Sequence, residues 1–357
     1  MRVELLTSTP PTPTEGSGTF VALHGLRRGL QALGHVVSLR PLRVRTGLHT
    51  FDRWLYNTEV RRHPPVADLV VGVDLDGFLW APGRARGSAD RKPYVVALKG
   101  IIADELRNER GLVRASLRLQ ARWERANTRC ADRVIVPSRY SARVAAEVYG
   151  LPVERIAVVP EPIDVAAWRS LFASVEPAGA HAPTILSVAR MYPRKRLQDL
   201  LEAAHILRGR IPDLRVRIVG EGPELGHLRT VHRTLGLDGT VEFLGEVSRR
   251  ALAVEYVGAD VFCLPTVQEG FGIVFAEAMI AGLPVVACRM AAVPEVVEDR
   301  RTGLLVNPRS PDELAMAMET LLLNDGLRAG LGQAGMARAT RFDLEPVARD
   351  FLKAASA

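Results

Sequence analysis

The sequence of 357 residues predicts two α/β domains in tandem, each built on its own parallel sheet. Short β-rich apolar runs alternate with helix-like runs along most of the chain, which is typical of parallel strands joined by crossover helices. A segment rich in Pro, Gly and Ala, SVEPAGAHAP at 174–183, interrupts this alternation and is expected to be a linker. The length agrees, because a domain usually takes ~100 to 200 residues.

The first domain is predicted over residues 1–170. Its strands are expected at RVELLT (2–7), VVSLR (36–40), ADLVVGV (67–73), YVVAL (94–98) and DRVIVP (132–137). Helical patterns at about 17–33 and about 105–129 lie between these runs, and Gly34 ends the first of them.

The second domain is predicted over residues 171–340. Its strands are expected at TILSVAR (184–190), LRVRIVG (214–220), TVEFLG (240–245), ADVFCLP (259–265) and LPVVAC (283–288). The last segment, 341–357, places apolar residues at the spacing of one helical face, at positions 344, 347, 348, 351 and 352. We expect this helix to pack back on the first domain.

Charge is unevenly distributed between the two halves of the chain. Residues 1–165 contain 25 Lys and Arg against 17 Asp and Glu, whereas residues 166–357 contain 22 against 23. The first half therefore carries +8 and the second −1 of the formal net charge of +7, which suggests an anionic partner for the first half.

Several classes of protein are excluded by pattern. The N-terminal MRVELLTSTP is a strand-like run without the basic start and long apolar core of a signal peptide, and no apolar run approaches the ~18 residues of a membrane span. Cys130, Cys263 and Cys288 lie far apart, which argues against a zinc site and fits a reducing compartment. We therefore expect a cytoplasmic protein.

The segment EGFGIVFAE (269–277) is the first candidate for a binding site. Glu269 follows a strand, and Gly270 and Gly272 allow the backbone to turn tightly and approach a ligand. The helix predicted to begin near Ile273 directs unpaired N–H groups and the positive end of its dipole at that turn, which favours a phosphate. Glu269 and Glu277 are then expected to hold different parts of one ligand. The alternative is an exposed loop glutamate and an ordinary helix glutamate.

Two further loops are predicted at the same edge of the second sheet. Arg190 and Lys195 follow the first strand in SVARMYPRKR, and VGEGPEL (219–225) follows the second. Arginine and lysine bind phosphate oxygens, although a lone basic turn is more often simply solvated. Because the carboxyl ends of parallel strands share one edge, we expect a diphosphate site there.

These motifs together resemble the family 4 retaining glycosyltransferases of group 1, which have the two-lobed GT-B fold. The resemblance covers nearly the whole chain and is densest from 184 to 308. It rests on SVARMYPRK, VGEGPE (219–224), FLGEV (243–247), EGFGIVFAE, AGLPVVA (281–287) and GLLVNP (303–308). It implies two Rossmann-like lobes facing across a cleft, with an acceptor-binding lobe first and a donor-binding lobe second.

The resemblance also implies roles for individual residues of the second domain. Glu277 would hold the ribose of a nucleoside diphosphate sugar and Glu269 the transferred sugar. Arg190 and Lys195 would bind the diphosphate, helped by Gly222 and by the main chain of Gly270, Phe271, Gly272, Ile273 and Val274. Catalysis would be assigned to Glu269, Arg190 and Lys195. The family retains anomeric configuration and needs no metal or other cofactor, the nucleotide sugar being a co-substrate.

In the first domain, TPPTPTEGSGTF (9–20) resembles the glycine loop of the family, in which Gly16 and Gly18 approach the diphosphate. A dinucleotide fingerprint is disfavoured, because the third glycine is missing and about eight residues separate the motif from its strand. The pair Asp74 and Asp76 could be turn residues, a metal site or, through Asp76, an acceptor contact. Turn residues are favoured over metal binding.

One position departs from the family. Where relatives usually carry a histidine after the strand YVVAL, this sequence has Lys99 followed by Gly100. Lys99 is a candidate contact for phosphate or for an acceptor sugar. His24, on the first helix, is expected to be a packed helix residue and not a replacement.

The helix at 105–129 is strongly basic. Arg110, Arg114, Arg118 and Arg122 lie four residues apart along one stripe, and Leu112, Leu119 and Trp123 fall on another side. An anionic membrane surface is therefore a candidate partner, and a solvated face above a buried apolar stripe is the alternative. Nucleic acid is not expected, because no recognition motif or aromatic platform is present.

The sequence thus predicts a retaining hexosyltransferase that uses a UDP- or GDP-linked sugar and an acceptor hydroxyl on a lipid or glycan. Two alternatives stay open. One is a nucleotide-sugar epimerase, which would isomerise the donor without an acceptor. The other is a non-catalytic sugar-nucleotide-binding protein.

Overall fold

The computed structural model describes residues 1–9, 13–43, 45–84, 91–109, 111–176 and 182–356, with only the backbone described for 13–17. The chain divides into two compact units. Unit 1 comprises Met1–Ile163 and Asp343–Ala357, and unit 2 comprises Asp164–Phe342. None of the helices over the described residues combines the length and the apolar character that a membrane span requires.

Unit 1 contains, over its described residues, a sheet of six parallel strands in the order β2-β1-β3-β4-β5-β6. The strands are β1 (Arg2–Leu6), β2 (Val36–Arg40), β3 (Leu69–Val73), β4 (Tyr94–Ala97), β5 (Arg133–Val136) and β6 (Ile156–Val158). Both faces of the central strand β3 are buried, which explains its uninterrupted run LVVGV.

The helices of unit 1 connect these strands and cover the sheet. They are α1 (Pro13–Ala32), α2 (His49–Arg62), α3 (Ile102–Glu105), α4 (Gly111–Cys130), α5 (Arg139–Tyr149) and, from the C-terminal segment, α14 (Leu344–Ser356). The C-terminal helix α14 packs closely on α1. At Gly29 of α1 an added Cβ would lie 2.4 Å from the carbonyl oxygen of Leu344.

Unit 2 repeats this architecture with a second parallel sheet, in which the described strands follow the order β12-β11-β10-β7-β8-β9. These are β7 (Thr184–Val188), β8 (Arg215–Val219), β9 (Val241–Gly245), β10 (Val261–Leu264), β11 (Val285–Cys288) and β12 (Gly303–Val306). Its helices are α6 (Val165–Ala173), α7 (Leu197–Leu207), α8 (Leu225–Thr234), α9 (Arg249–Val257), α10 (Ile273–Ile280), α11 (Val293–Val296), α12 (Pro311–Leu322) and α13 (Asp325–Ala339).

All ten strands expected from the sequence are confirmed, each to within two residues at either end. Two short strands, β6 and β12, were not expected. The helix expected at about 105–129 begins later than predicted, at Gly111, because α3 and a short 3₁₀ turn occupy residues before it.

The boundary between the units falls at Ile163, seven residues earlier than the predicted end of the first domain. The reason is α6, which the side chain of Asp164 caps at Ala167 and whose Trp168 packs on Tyr256 of α9. Residues 177–181 of the predicted linker lie outside the described residues.

The contact of α1 with α14 gives a testable prediction. Gly29→Ala should lower the free energy of unfolding by about 1–3 kcal/mol, because the new methyl group must displace the backbone of Leu344. The matched control is Gly18→Ala on the same helix, where no atom lies within 4 Å of the new Cβ. Here we expect a gain of roughly 0.5–1 kcal/mol from helix propensity. Chemical denaturation measures both, and equal effects of the two substitutions would contradict the predicted packing.

Candidate active site

Three loops of unit 2 are joined by backbone hydrogen bonds at the carboxyl edge of its sheet. They follow β10, β7 and β8, which are neighbouring strands. Between the loops after β7 and β8, Met191 N–H donates to Glu221 O (2.8 Å) and Glu224 N–H donates to Met191 O (3.0 Å). Between the loops after β10 and β7, Val267 N–H donates to Arg194 O (2.9 Å). The expected convergence of these loops is therefore present.

The glycines of VGEGPE are explained by this close approach. Gly220 has φ 116°, and a Cβ there would lie 2.2 Å from the carbonyl oxygen of Ala189. A Cβ at Gly222 would lie 2.7 Å from both the nitrogen and the carbonyl oxygen of Met191. Gly222 thus lets one loop pack on the next, whatever ligand its main chain also contacts.

Lys195 and Glu269 form an ion pair across two of these loops. The ammonium of Lys195 contacts Oε1 of Glu269, and the two side chains are only 14% and 12% exposed. Lys195 lies in a 3₁₀ turn after β7, and Glu269 lies in the loop after β10. The pair therefore brings together two of the three residues to which the sequence assigns catalysis.

Arg190 is the third of these residues and lies in the same β7 loop. It is half-buried, and its guanidinium lies 5.8 Å from the ring centroid of Tyr192. The guanidinium of Arg194 stacks on the same ring at 4.7 Å. The loop after β7 thus contains two arginines whose guanidinium groups pack against the ring of Tyr192.

The helix α10 begins at Ile273, as the sequence predicts. Its N-cap is Gly272, which has φ 91° and supplies no side-chain cap to the first turn. The first N–H groups of a helix have no intrahelical partner, so those of Ile273 and Val274 can bind an anion.

Phe271, before the cap, is buried and packs edge-on against Phe342 at 5.1 Å. That contact fixes the turn that contains Gly270.

Glu277 lies on α10 in different surroundings from Glu269. It is 6% exposed, and its Oε2 accepts a hydrogen bond from the hydroxyl of Tyr256 at 3.1 Å. Burial raises the pKa of Glu277 to about 7, opposed by the hydrogen bond of Tyr256, the charge of Arg249 and a side-chain hydrogen bond from Trp168. Glu277 is thus a buried carboxyl group whose pKa is close to neutral pH. Mainly neutral groups, and not a salt bridge, stabilise its charged form.

Lys99 of unit 1 is held in a second buried ion pair. Its ammonium lies 2.7 Å from Oε2 of Glu161, with side chains 11% and 6% exposed. Its backbone N–H donates to Oδ1 of Asp74 at 2.7 Å. Asp74 has a left-handed φ of 53°, and burial raises its pKa to about 6. The departure from the family histidine is thus accompanied by a buried carboxylate partner.

Asp76, the predicted acceptor contact, is only 3% exposed. Its carboxylate accepts hydrogen bonds from the backbone and hydroxyl of Ser8 and from the side-chain amide of Asn57. An acceptor would have to displace these groups, whereas Asp74 of the same pair is partly exposed. Over the described residues, no group of three or more His, Cys, Asp or Glu side chains is arranged to hold a metal ion.

The glycine-loop residues Gly16 and Gly18 lie on a helix, because α1 already begins at Pro13. Only the backbone of Gly16 is described, and Gly18 is exposed. His24 is half-buried and stacks on Phe20 with ring centroids 4.1 Å apart. Its packed position agrees with the prediction.

The basic helix α4 turns a polar side inward, not the apolar stripe of the alternative interpretation. Gln120, Glu124 and Asn127 are buried, whereas Leu112 is 89% exposed and Leu119 is 40% exposed. Arg114, Arg118 and Arg122 are exposed, and Arg110 lies outside the described residues. Trp123 is half-buried and stacks on Phe78 at 5.0 Å.

Sequence reasoning missed the residues around Glu277. Trp168, Tyr256 and Arg249 come from α6 and α9, far from Glu277 along the chain. The sequence signal that could have found them was Trp168 in IDVAAW, near the end of the predicted first domain, where no element was expected.

Two family models match the chain in tandem. The model described as Glycosyltransferase Family 4 matches residues 41–167, and the model described as Glycosyl transferases group 1 matches residues 173–338. Together they cover more than four fifths of the chain.

Curated relatives match over shorter ranges. A GDP-mannose-dependent alpha-(1-6)-phosphatidylinositol monomannoside mannosyltransferase of Mycobacterium tuberculosis is 37% identical over 160 residues, 43% of this chain and 42% of that protein. A D-inositol 3-phosphate glycosyltransferase of Nocardioides is 31% identical over 241 residues, 62% of this chain and 53% of that protein. The matched region thus spans about half the length of these relatives.

Solved structures share the fold over the whole chain. A sucrose-phosphate synthase from Thermosynechococcus elongatus has a TM-score of 0.80 at 19% identity, covering 99% of this chain and 97% of that one. HepE from Anabaena, solved with UDP and glucose, has a TM-score of 0.75 at 21% identity, covering 100% and 99%. Two tandem parallel-sheet units and these neighbours identify the fold as α/β of the GT-B class. With both family models matched, the chain belongs to the family 4, group 1 glycosyltransferases.

Proposed function

We propose that this chain transfers a hexose from a nucleoside diphosphate sugar to an acceptor hydroxyl, with retention of configuration at the anomeric carbon. The observation that carries the proposal is the Lys195–Glu269 ion pair beside the N-terminus of α10, in unit 2. It combines a cation and helix N–H groups for a diphosphate with a carboxylate for sugar hydroxyls. No metal or other cofactor is needed for this chemistry.

The positive groups of the site would act on the leaving group. As the bond between the anomeric carbon and the diphosphate oxygen breaks, negative charge grows on the phosphate. Lys195, Arg190 and the first N–H groups of α10 would stabilise that charge most strongly in the transition state. Glu269 would orient the sugar while its own charge holds the Lys195 ammonium in place.

The configuration at the anomeric carbon is retained if the acceptor attacks on the same face from which the leaving group departs. The acceptor oxygen forms the new bond to the anomeric carbon, the bond to the phosphate breaks, and the hydroxyl proton passes to a phosphate oxygen of the donor. The donor thus supplies the base, and the protein supplies position and electrostatic stabilisation.

The names of related proteins support two donor classes. The mycobacterial relative is GDP-mannose-dependent, and HepE was solved with UDP and glucose. We therefore propose a GDP- or UDP-linked hexose as donor and a lipid or glycan hydroxyl as acceptor. The named relatives act on a phosphatidylinositol mannoside or carry D-inositol 3-phosphate in their names, which supports an acceptor with a polyol ring.

A lipid acceptor would also explain one surface of unit 1, which we call the α2/α4 surface. Side chains of Thr50, Ser116 and Gln120 form hydrogen bonds that join α2 to α4. Around this junction the two helices and the residue before α2 expose apolar groups, namely Leu48, Phe51, Trp54, Leu112, Val113 and Leu119. Exposed Arg114, Arg118 and Arg122 accompany them. Apolar side chains flanked by arginines favour an anionic membrane surface as partner.

Binding of the donor is the first test. Sugar nucleotides linked to UDP, GDP and ADP should be compared by thermal shift. The one that binds should stabilise the fold by roughly 2.7 kcal/mol when present at ~100 times its dissociation constant. Transfer to an acceptor by the same donor is then measured by mass spectrometry. Stabilisation by none of them would contradict the proposal, and conversion to an isomeric sugar nucleotide without an acceptor would identify an epimerase.

Substitution of Glu277 and substitution of Glu269 should have different effects on binding and on catalysis. Glu277→Ala should weaken sugar-nucleotide binding about tenfold or more, because it removes charge-assisted hydrogen bonds worth ~1.5–3 kcal/mol. Glu269→Ala should lower kcat by roughly a hundredfold with a smaller effect on binding, since Lys195 remains to hold the diphosphate. Glu242→Ala, which removes an exposed glutamate on β9, is the control. Calorimetry and steady-state kinetics measure both effects, and identical profiles for Glu269→Ala and Glu277→Ala would refute the division of roles.

Membrane binding is tested by co-sedimentation with vesicles of phosphatidylcholine alone or mixed with phosphatidylglycerol. We expect binding to the anionic vesicles that falls as salt rises, because screening weakens surface attraction. Replacing Arg114, Arg118 and Arg122 by Gln should reduce partitioning about a hundredfold, at ~1 kcal/mol for each arginine. The control removes three exposed arginines elsewhere, Arg229, Arg301 and Arg349. An equal loss in the control, or none in the test variant, would rule out the α2/α4 surface.

A further inference from the structure

Glu277 is a buried carboxyl group of the proposed donor site for which the described residues provide no ion-pair partner in direct contact. Oε2 of its side chain accepts from the Tyr256 hydroxyl at 3.1 Å, and the indole of Trp168 also favours its charged form. Tryptophan and tyrosine are neutral donors with fixed ring geometry. Trp168 comes from α6, which packs against both α10 and α9, and Tyr256 comes from α9.

The donors are themselves rigid. Tyr256 is fully buried and Trp168 is 4% exposed. Trp168 stacks on Phe172 at 5.1 Å and meets Tyr256 edge-on at 5.9 Å. The guanidinium of Arg249 lies 4.7 Å from the centroid of the Trp168 ring. Neither donor can follow the carboxylate if it rotates, so their positions select one orientation of Glu277.

A carboxylate offers about four acceptor positions, and the Tyr256 hydroxyl and the Trp168 indole together leave at least two of them. Two remaining positions on one rigid carboxylate suit a pair of neighbouring hydroxyls, such as the 2′ and 3′ hydroxyls of a ribose. Resting on the function proposed above, we infer that Tyr256 and Trp168 are positioning residues that orient and ionise Glu277 for the ribose of the donor.

This role predicts a dependence on pH. An ionised carboxylate accepts from both hydroxyls, whereas the protonated acid loses acceptor capacity. The groups that act on its charge are Tyr256 and Arg249 from α9 and Trp168 from α6, and no charge of α13 or β11 among the described residues contributes. Since its pKa is raised to about 7, sugar-nucleotide affinity should increase with pH through that value. Loss of either donor should move the midpoint upward.

The experiment measures the dissociation constant of GDP-mannose or UDP-glucose, whichever binds, by calorimetry from pH 5.5 to 8.5. A sugar nucleotide is chosen because neither of its phosphates titrates in this range. Tyr256→Phe and Trp168→Phe keep an aromatic ring and remove the donor. We expect each to raise the midpoint by about one pH unit, as loss of one hydrogen bond to a charged group implies. Affinity should then fall about fivefold at pH 7 and approach the unaltered protein at pH 8.5.

The control is Phe172→Leu, which alters the packing of Trp168 and Tyr256 but removes no donor. A merely structural role for the two rings would weaken binding equally at every pH and would not separate them from this control. Either result overturns the inference. Thermal unfolding of each variant shows that it is folded.

A second measurement needs no ligand. Protein labelled with ¹³C at the glutamate carboxyl carbons is titrated by NMR, and the Glu277 signal is assigned with Glu277→Gln. An upward move of its pKa in Tyr256→Phe and Trp168→Phe supports the inference even if no sugar nucleotide binds, in which case only the proposed function fails. An unchanged pKa in both variants refutes the inference, whatever the donor proves to be.

Discussion

The proposed donor site depends on the hydrogen bonds that join three loops at one edge of the second sheet. Apart from the 3₁₀ turn at Pro193–Lys195, these loops are irregular, so many of their backbone groups must find partners in one another. Met191 satisfies two such groups, one with Glu221 and one with Glu224, and Arg194 satisfies the N–H of Val267. The ion pair of Lys195 with Glu269 can form only because this backbone contact has already brought its two loops together. The glycines at 220 and 222 are required for the same reason, since any side chain would separate the loops.

The two glutamates of this site, Glu269 and Glu277, have different electrostatic surroundings. Glu269 faces the ammonium group of Lys195, so opposite charges are matched within a largely buried ion pair. Glu277 faces mainly neutral donors, so burial opposes its charge and raises its pKa to about 7. A buried carboxyl group with such a pKa lowers the stability of the fold at pH above about 7, where it must ionise. Below the unfolded value of ~4.5 this cost disappears. An energetic cost of this kind at one position is consistent with a group kept for binding and not for stability.

Much of this could be predicted from the sequence, because the information was local. Each of the ten predicted strands was indicated by a short β-rich run. Gly272 followed by IVFAEAMI indicated the start of a helix at a strand end. Parallel topology then brought Arg190, Lys195 and Glu269 to one edge without any knowledge of side-chain packing. What could not be predicted was set by long-range packing. Trp168 lies more than a hundred residues before Glu277, and no period or motif connects them. The strands β6 and β12 were also missed; β6 has only three residues, whereas β12 is as long as other strands that were predicted.

The structural role of Lys99 depends on its ion-pair partner, Glu161. Read alone, a lysine after β4 could face any anion. In the structure its ammonium is matched by Glu161 at 2.7 Å, and both side chains are almost completely buried. Removing one member of such a pair leaves an uncompensated charge and costs about 3–5 kcal/mol, so the two residues can change only together. Lys99 is thus first a structural cation that ties the loop after β4 to the loop after β6. Its backbone N–H at the same time donates to Oδ1 of Asp74, a residue with a left-handed backbone at the end of β3. Compared with Lys99 and Asp76, to which the sequence pointed, Asp74 is a partly exposed residue with a left-handed backbone.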